Sequence, residues 1–182
     1  TTVVFDIDSI GLTNVVQGLN QGIDPGGNTI GAPTEFVQGV VINHGTVDQE
    51  RERSRFEYKI EAGADFATTQ PVFSPEALEQ FLDATTPEIP IVAGIWPLTT
   101  LRNAEFLANE VPGVHVPTEL VDRMRRAQLS GADAALEEGI AIALEMINAT
   151  QGFVQGFHLT APNRKVQVAL KVLRESGILA TA

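Results

Sequence analysis

A parallel α/β chain of the (β/α)8 TIM-barrel type is what the sequence predicts, from three features. Short apolar segments alternate with amphipathic ones, the strand-like segments are apolar almost throughout, and polar residues stand just past their carboxyl ends. Strands joined by helical crossovers run parallel, and a parallel sheet is covered on both faces, which accounts for the near-continuous apolar runs. The competing architecture, a doubly wound dinucleotide fold, usually shows G-x-G-x-x-G after its first strand. No such fingerprint occurs, and "PGGN" lies between a helix and a strand. A barrel instead places functional groups at strand ends. Asn43, Gln70, Trp96 and Thr160 occupy four such ends, with Asn163 and Arg164 just beyond.

In chain order, Ser9 is placed to cap a helix in which Ile10, Leu12, Val15, Val16 and Leu19 recur at helical spacing, ended by Gly22. "FVQGVVIN", Phe36 to Asn43, reads as a buried strand. Asp48 to Ala62 reads as a charged helix closed by Gly63, and Phe66 to Gln70 as the next strand, stopped by Pro71, which has no N–H to give a sheet ladder. Ser74, Pro75 and Glu76 form a helix start. "IPIVAGIW" is a strand, and Thr99 or Thr100 caps the helix after it. "PGVHVPTELVDRMRRA" interrupts the rhythm as an inserted loop and short helix. From Ser130 a long helix carries Leu136, Ile140, Ala143, Leu144 and Ile147 on one face. "FVQGFHLTA" is the last clear strand, and Asn163 is placed to cap a closing helix with Val166, Ala169, Leu170 and Leu173 inward. "TVVFD" at the start is a weak additional strand. A complete barrel spans about 250 residues, so this arc exposes two sheet edges, which a larger chain or a second copy must cover.

Composition narrows the function classes. The chain has 182 residues, 43% of them hydrophobic, and a formal net charge of −11, which argues against a binder of nucleic-acid phosphates. The absence of cysteine excludes disulfides and thiolate zinc sites and fits a reducing, cytoplasmic compartment. No apolar run approaches the ~20 residues of a membrane span, and Thr1 opens no signal-peptide pattern. His44, His115 and His158 lack metal-ligand spacing, so no metal is expected.

Three long blocks then carry a resemblance. "YKIEAGADFATTQPVF", "IPIVAGIWPLTTLRNAEFLANEVPGVHVP" and "GFHLTAPNR", in that order, resemble the carboxyl-terminal half of the methylenetetrahydrofolate reductase family. The similarity is greatest to the reductase part of proteins that fuse it to a homocysteine S-methyltransferase, where "DIDSIGL" also has a counterpart. The resemblance covers almost the whole chain and implies one partial domain over 1–182, supplying strands five to eight of a (β/α)8 barrel.

The family binds FAD and uses NAD(P)H to reduce 5,10-methylenetetrahydrofolate to 5-methyltetrahydrofolate. By resemblance, Gln70 matches the Gln that contacts the folate pterin where the nicotinamide also docks, Arg164 lies near the folate, and Leu101 replaces an aromatic contact to it. On the FAD side, Lys59 matches a family Lys, Glu52 and Arg55 stand where members carry flavin contacts, and Asn43 stands for a flavin-contacting His. Glu52, Arg55 and Lys59 are three and four residues apart, so they share one helical face. The family's catalytic Glu and a flavin-side Asp fall upstream of Thr1, so no catalytic residue is assigned within the chain. The alternative is a half-barrel without catalysis of its own, either forming a homo-oligomer or joined to an amino-terminal half. A Schiff-base lyase through Lys59 is weaker, because a barrel nucleophile belongs at a strand end rather than on a helix.

Overall fold

Four strands form one parallel sheet in chain order: β1 (Gly39–Ile42), β2 (Phe66–Pro71), β3 (Ile91–Ile95) and β4 (Gly156–Leu159). Gly39 lies opposite Phe66, Thr68 opposite Val92, and Val92 opposite Gly156. Helical crossovers join each pair, as parallel strands require. The computed structural model describes residues 7–178, so the weak strand expected at "TVVFD" lies outside the described residues. The architecture is the arc of a partial (β/α)8 barrel, and its two outer strands, β1 and β4, each have one open edge among the described residues.

Side-chain alternation sorts the two sheet faces. Val40, Ile42, Ala67, Ile91 and Ala93 turn toward the helices and pack with Phe56, Leu78 and Phe81. The rings of Phe56 and Phe81 lie 6.0 Å apart, and each such fully buried side chain contributes roughly 1.5–3 kcal/mol. Val41, Thr68 and Val92 fall on the opposite, inner face of the arc, where Val41 is 49% exposed.

The outer layer begins with α1 (Ser9–Asn20), whose first turn is held by Asp8: its carboxylate accepts the Gly11 N–H at 2.9 Å. The cap is therefore one residue earlier than expected, because Asp8 keeps extended backbone while Ser9 is already helical. Leu12 is 53% exposed despite the helix's apolar stripe, since no described element lies beyond the open edge of β1. The strand itself starts at Gly39 rather than Phe36; pairing begins where Gln38 accepts from the Asp65 N–H.

Asp48 caps α2 (Gln49–Glu61), and Ser74 caps α3 (Pro75–Thr85) with Pro75 in its first turn. After β3 come α4 (Leu101–Asn109), capped by Thr100, then α5 (Thr118–Leu129) and α6 (Ala132–Thr150). Leu98, Leu107, Leu120, Met124 and Ile142 bind this inserted group into a second core. Arg123 on α5 reaches Glu138 and Glu145 on α6, each at 2.6 Å.

The closing helix departs from expectation. Pro162–Arg164 form a 3-10 turn, so α7 (Val166–Glu175) begins without a side-chain cap, and Asn163 lies in the turn before it. The later start rotates the inward stripe to Val168 and Val172 and leaves Val166 53% exposed.

One close approach fixes α6 against the segment after β3. Gly139 is pressed onto the main-chain carbonyl of Leu98, and a Cβ there would overlap that oxygen. Gly139→Ala is expected to lower stability by at least about 1–3 kcal/mol, read from the urea midpoint, because a backbone contact cannot yield as a side chain can. Gly156→Ala, whose Cβ would meet only Val92 Cγ2 at 3.8 Å, is expected to stay within about 0.5 kcal/mol of the parent.

Candidate functional site

The carboxyl end of β2 is shaped by a bulge. Three steps along β2, from Thr68 to Pro71, are opposed by two along β3, from Val92 to Gly94. Pro71 has no N–H to give, yet the strand continues through it. Thr69 Oγ1 accepts the Gly94 N–H at 2.8 Å and donates to the Gln70 carbonyl at 2.7 Å, and the Val72 N–H then reaches the Gly94 carbonyl at 2.8 Å. Gly94 is required by this arrangement, since a Cβ would approach the Thr69 carbonyl to 2.7 Å. The extra residue is Gln70's neighbourhood, and bulges of this kind re-aim side chains beside functional sites. Among the described residues the Gln70 amide has no hydrogen-bond partner.

At the end of β1 a charged cluster forms around α2. Gln38 directs its carbonyl to β2, so by alternation Val41 and Asn43 direct their main-chain groups to the open edge. Lys59 Nζ donates to the Val41 carbonyl at 2.7 Å, and Glu52 Oε1 accepts the Asn43 N–H at 3.0 Å. The two charges are 3.8 Å apart. Lys59 is buried, and that burial pushes its pKa below the ordinary lysine value while the Glu52 carboxylate pulls the other way. Arg55, one turn away, pairs with Asp8 at 3.1 Å and with Ser9 Oγ at 3.2 Å. The Gly11 N–H and the Arg55 guanidinium hold Asp8 below the usual carboxylate range.

Of five buried polar atoms without a described partner, four lie after β1 and β3, Asn43 Oδ1, His44 Nδ1, Trp96 Nε1 and Thr99 Oγ1, and the fifth is Arg53 Nε on α2. The Asn43 amide nitrogen lies against Gly113 in the α4–α5 loop, and that loop also brings His115 beside His44. Unpaired buried polar groups are costly, so such a concentration marks strand ends that serve something other than packing. Leu101 opens α4 and packs, half-buried, on the second core beside Trp96. Arg164 ends the 3-10 turn with φ of 61°, is exposed, and has no partner among the described residues. A non-glycine residue in the left-handed region stores strain and recurs at ligand sites.

Two clefts flank the row of Glu52, Arg55 and Lys59. One, of about 570 Å³, is mostly apolar and lies between α1 and β1, with Lys59 in its wall; the other, of about 270 Å³, is polar and includes Thr46, Arg51 and Arg55. An apolar cleft adjoining cations suits a flat ring joined to phosphates, so these residues fit one wall of an FAD site. The Arg55–Asp8 pair is exposed and screened by solvent, whereas Lys59 is committed to β1.

The structure therefore brings Asn43, Glu52, Arg55 and Lys59 together. Gln70, Leu101 and Arg164 come from the ends of three other elements and line none of these clefts. Sequence reasoning missed the ion-pair role of Asp8, the hydroxyl bridge of Thr69 and the burial of His44. A carboxylate just before the first helix was the available signal for Asp8. No sequence signal marks the other two, because both depend on cross-strand packing.

The family model described as methylenetetrahydrofolate reductase matches residues 41–177. Methylenetetrahydrofolate reductase 2 of Schizosaccharomyces pombe is 32% identical over 133 residues, covering 66% of this chain and 20% of the yeast protein. A solved structure of an uncharacterized Clostridium thermocellum protein that binds two copies of 5-methyl-5,6,7,8-tetrahydrofolic acid superposes with a TM-score of 0.59 at 17% identity. The match covers 77% of this chain and 53% of that one, and at this identity it bears on fold alone. The chain thus spans about a fifth of the yeast relative and about half of the structural neighbour. No helix among the described residues is long and apolar enough to cross a membrane.

Burial holds the His44 imidazole neutral, lowering its pKa from 6.5 to about 4. Between those values the unfolded chain binds a proton that the folded chain does not, so stability falls as pH drops through this window and is fully present above it. The expected loss is at most about 3 kcal/mol. Urea midpoints at pH 7 and pH 5 should differ for the parent, and His44→Asn should flatten that difference; an unchanged slope would show that another group dominates.

Proposed function

The chain belongs to the methylenetetrahydrofolate reductase family, and from that premise we propose that it forms the folate-facing and part of the flavin-facing wall of a reductase barrel, as strands five to eight. The overall reaction in this reading is reduction of 5,10-methylenetetrahydrofolate to 5-methyltetrahydrofolate with NAD(P)H. The observation that carries it is the convergence of Asn43 with Glu52, Arg55 and Lys59 at the carboxyl end of β1, beside an apolar cleft. When bound, FAD supplies the hydride chemistry.

The chain's own groups bind and orient. Arg55 offers an exposed guanidinium to the cofactor's phosphates, and Glu52 opposes the effect of burial on the Lys59 ammonium while holding Asn43 in place. Gln70, re-aimed by the bulge and without a described partner, offers both a donor and an acceptor to a pterin edge. Arg164 offers a guanidinium without a partner among the described residues to an anionic substrate group, and Leu101 an apolar contact. That the structural neighbour binds a methyltetrahydrofolate supports a folate ligand. This reading assigns no catalytic acid within the chain. A half-barrel without catalysis of its own is the second reading, favoured by the internal commitments of Lys59 and Glu52 to the open edge.

The two readings separate in a binding and turnover experiment. Purified protein supplemented with FAD is assayed for flavin fluorescence quenching, for 5-methyltetrahydrofolate binding by calorimetry, and for NADH–menadione oxidoreductase activity. Binding of both ligands is expected. Gln70→Ala should weaken folate binding roughly three- to ten-fold, the worth of one neutral hydrogen bond, and leave FAD binding unchanged. Arg55→Ala should do the reverse. Binding without turnover supports the second reading; indifference to both ligands sinks the binding role itself.

A further inference from the structure

Among the described residues the four strands carry one ionisable side chain, His158 on β4. Its neighbours Phe157 and Leu159 pack on the helix side, so alternation turns the imidazole to the inner face of the arc. Gly156, two residues earlier on that face, agrees: a Cβ there would meet Cγ2 of Val92, itself an inner-face residue, at 3.8 Å. His158 is exposed and has no hydrogen-bond or ion-pair partner among the described residues. The interior of a parallel barrel is filled mainly by branched apolar side chains, and ligands bind at the carboxyl ends of its strands. An exposed imidazole at the second-last position of β4 departs from that apolar lining.

Its cross-strand surroundings are equally specific. His158 lies opposite Gly94 on β3, and Gly94 lies opposite Pro71 at the bulge of β2. Where a side chain at Gly94 would stand, the Thr69 and Gln70 carbonyls approach to 2.7 and 3.3 Å. This level of the sheet therefore has His158 on one side, the Gln70 bulge on the other, and no side chain between them. β2 and β4 are two strand spacings apart, about 10 Å. That gap admits a flat bicyclic ring held at both edges.

We propose that His158 is a further ligand-contacting residue, whose imidazole hydrogen-bonds the edge of the pterin that Gln70 meets from the other side of Gly94. A neutral imidazole carries one N–H donor and one bare nitrogen acceptor, which complement the carbonyl and amino groups along a pterin edge. The inference rests on the folate reading given above and deepens it by adding a second polar wall and a direction for the ring across β3. A histidine that merely faces solvent from an outer strand would make no such contact.

The test measures binding of 5-methyltetrahydrofolate and of FAD by calorimetry on the purified 182-residue chain, with thermal unfolding followed by circular dichroism. His158→Ala and His158→Leu should each weaken folate binding roughly three- to ten-fold, the worth of one neutral hydrogen bond, with FAD binding and unfolding temperature unchanged. His158→Gln, whose amide keeps a donor and an acceptor, should stay within about three-fold of the parent. A packing role would instead spare His158→Leu. If the parent binds folate and both His158→Ala and His158→Leu bind it equally well, this inference falls and the folate reading stands. Loss of FAD binding alone, or a His158→Gln variant as weak as His158→Ala, also overturns the contact. A parent that binds no folate overturns both.

Discussion

An edge strand of a parallel sheet has main-chain groups that no neighbouring strand satisfies, and β1, an outer strand among the described residues, shows how that demand is met. Lys59 and Glu52 reach from α2 to the Val41 carbonyl and the Asn43 N–H. Both charges are drawn out of water to do so, and each is tolerable there because the other stands 3.8 Å away. That single arrangement places α2 against the strand, positions Asn43 at the mouth of the arc, and leaves Arg55 one turn away to hold Asp8 at the start of α1. The residues resembling a flavin wall are thus also the ones that keep the edge intact.

The second organising feature is the bulge in β2. A proline in a sheet interior is normally excluded because the ladder loses a donor. Here the Val72 N–H supplies the Gly94 carbonyl instead, while the Thr69 hydroxyl accepts the Gly94 N–H and donates to the Gln70 carbonyl. The extra residue this requires leaves the Gln70 amide without a partner among the described residues. The polar atoms without a described partner after β1 and β3 fit the same picture, in which packing is satisfied on the helix side of the sheet and polar groups gather past its carboxyl ends.

Much of the fold was legible in the residues. The alternation of strand and helix, the capping Ser74 and Thr100, and the apolar face of α6 are local signals and stand where periodicity and capping chemistry put them. Misplacements occurred where a local signal competed with another. Asp8 displaced Ser9 as the cap of α1, and Pro162 drew the chain into a 3-10 turn that removed Asn163 from the capping position. The candidate site was legible in part. Helical spacing put Glu52, Arg55 and Lys59 on one face, and family resemblance singled out Gln70, but neither says what those side chains hold.

By itself the sequence determined the class of fold, the parallel sense of the strands, the positions of most helices and the reductase family to which the chain is akin, because each depends on residues near one another or on long ordered blocks. Only the tertiary structure decided that Lys59 is buried against Val41, that His44 is neutral, that Thr69 substitutes for a missing ladder partner and that Leu12 and Val37 are left uncovered. These depend on contacts between segments far apart in the chain, and on which edge of the sheet has no neighbour. No window of local sequence carries that information.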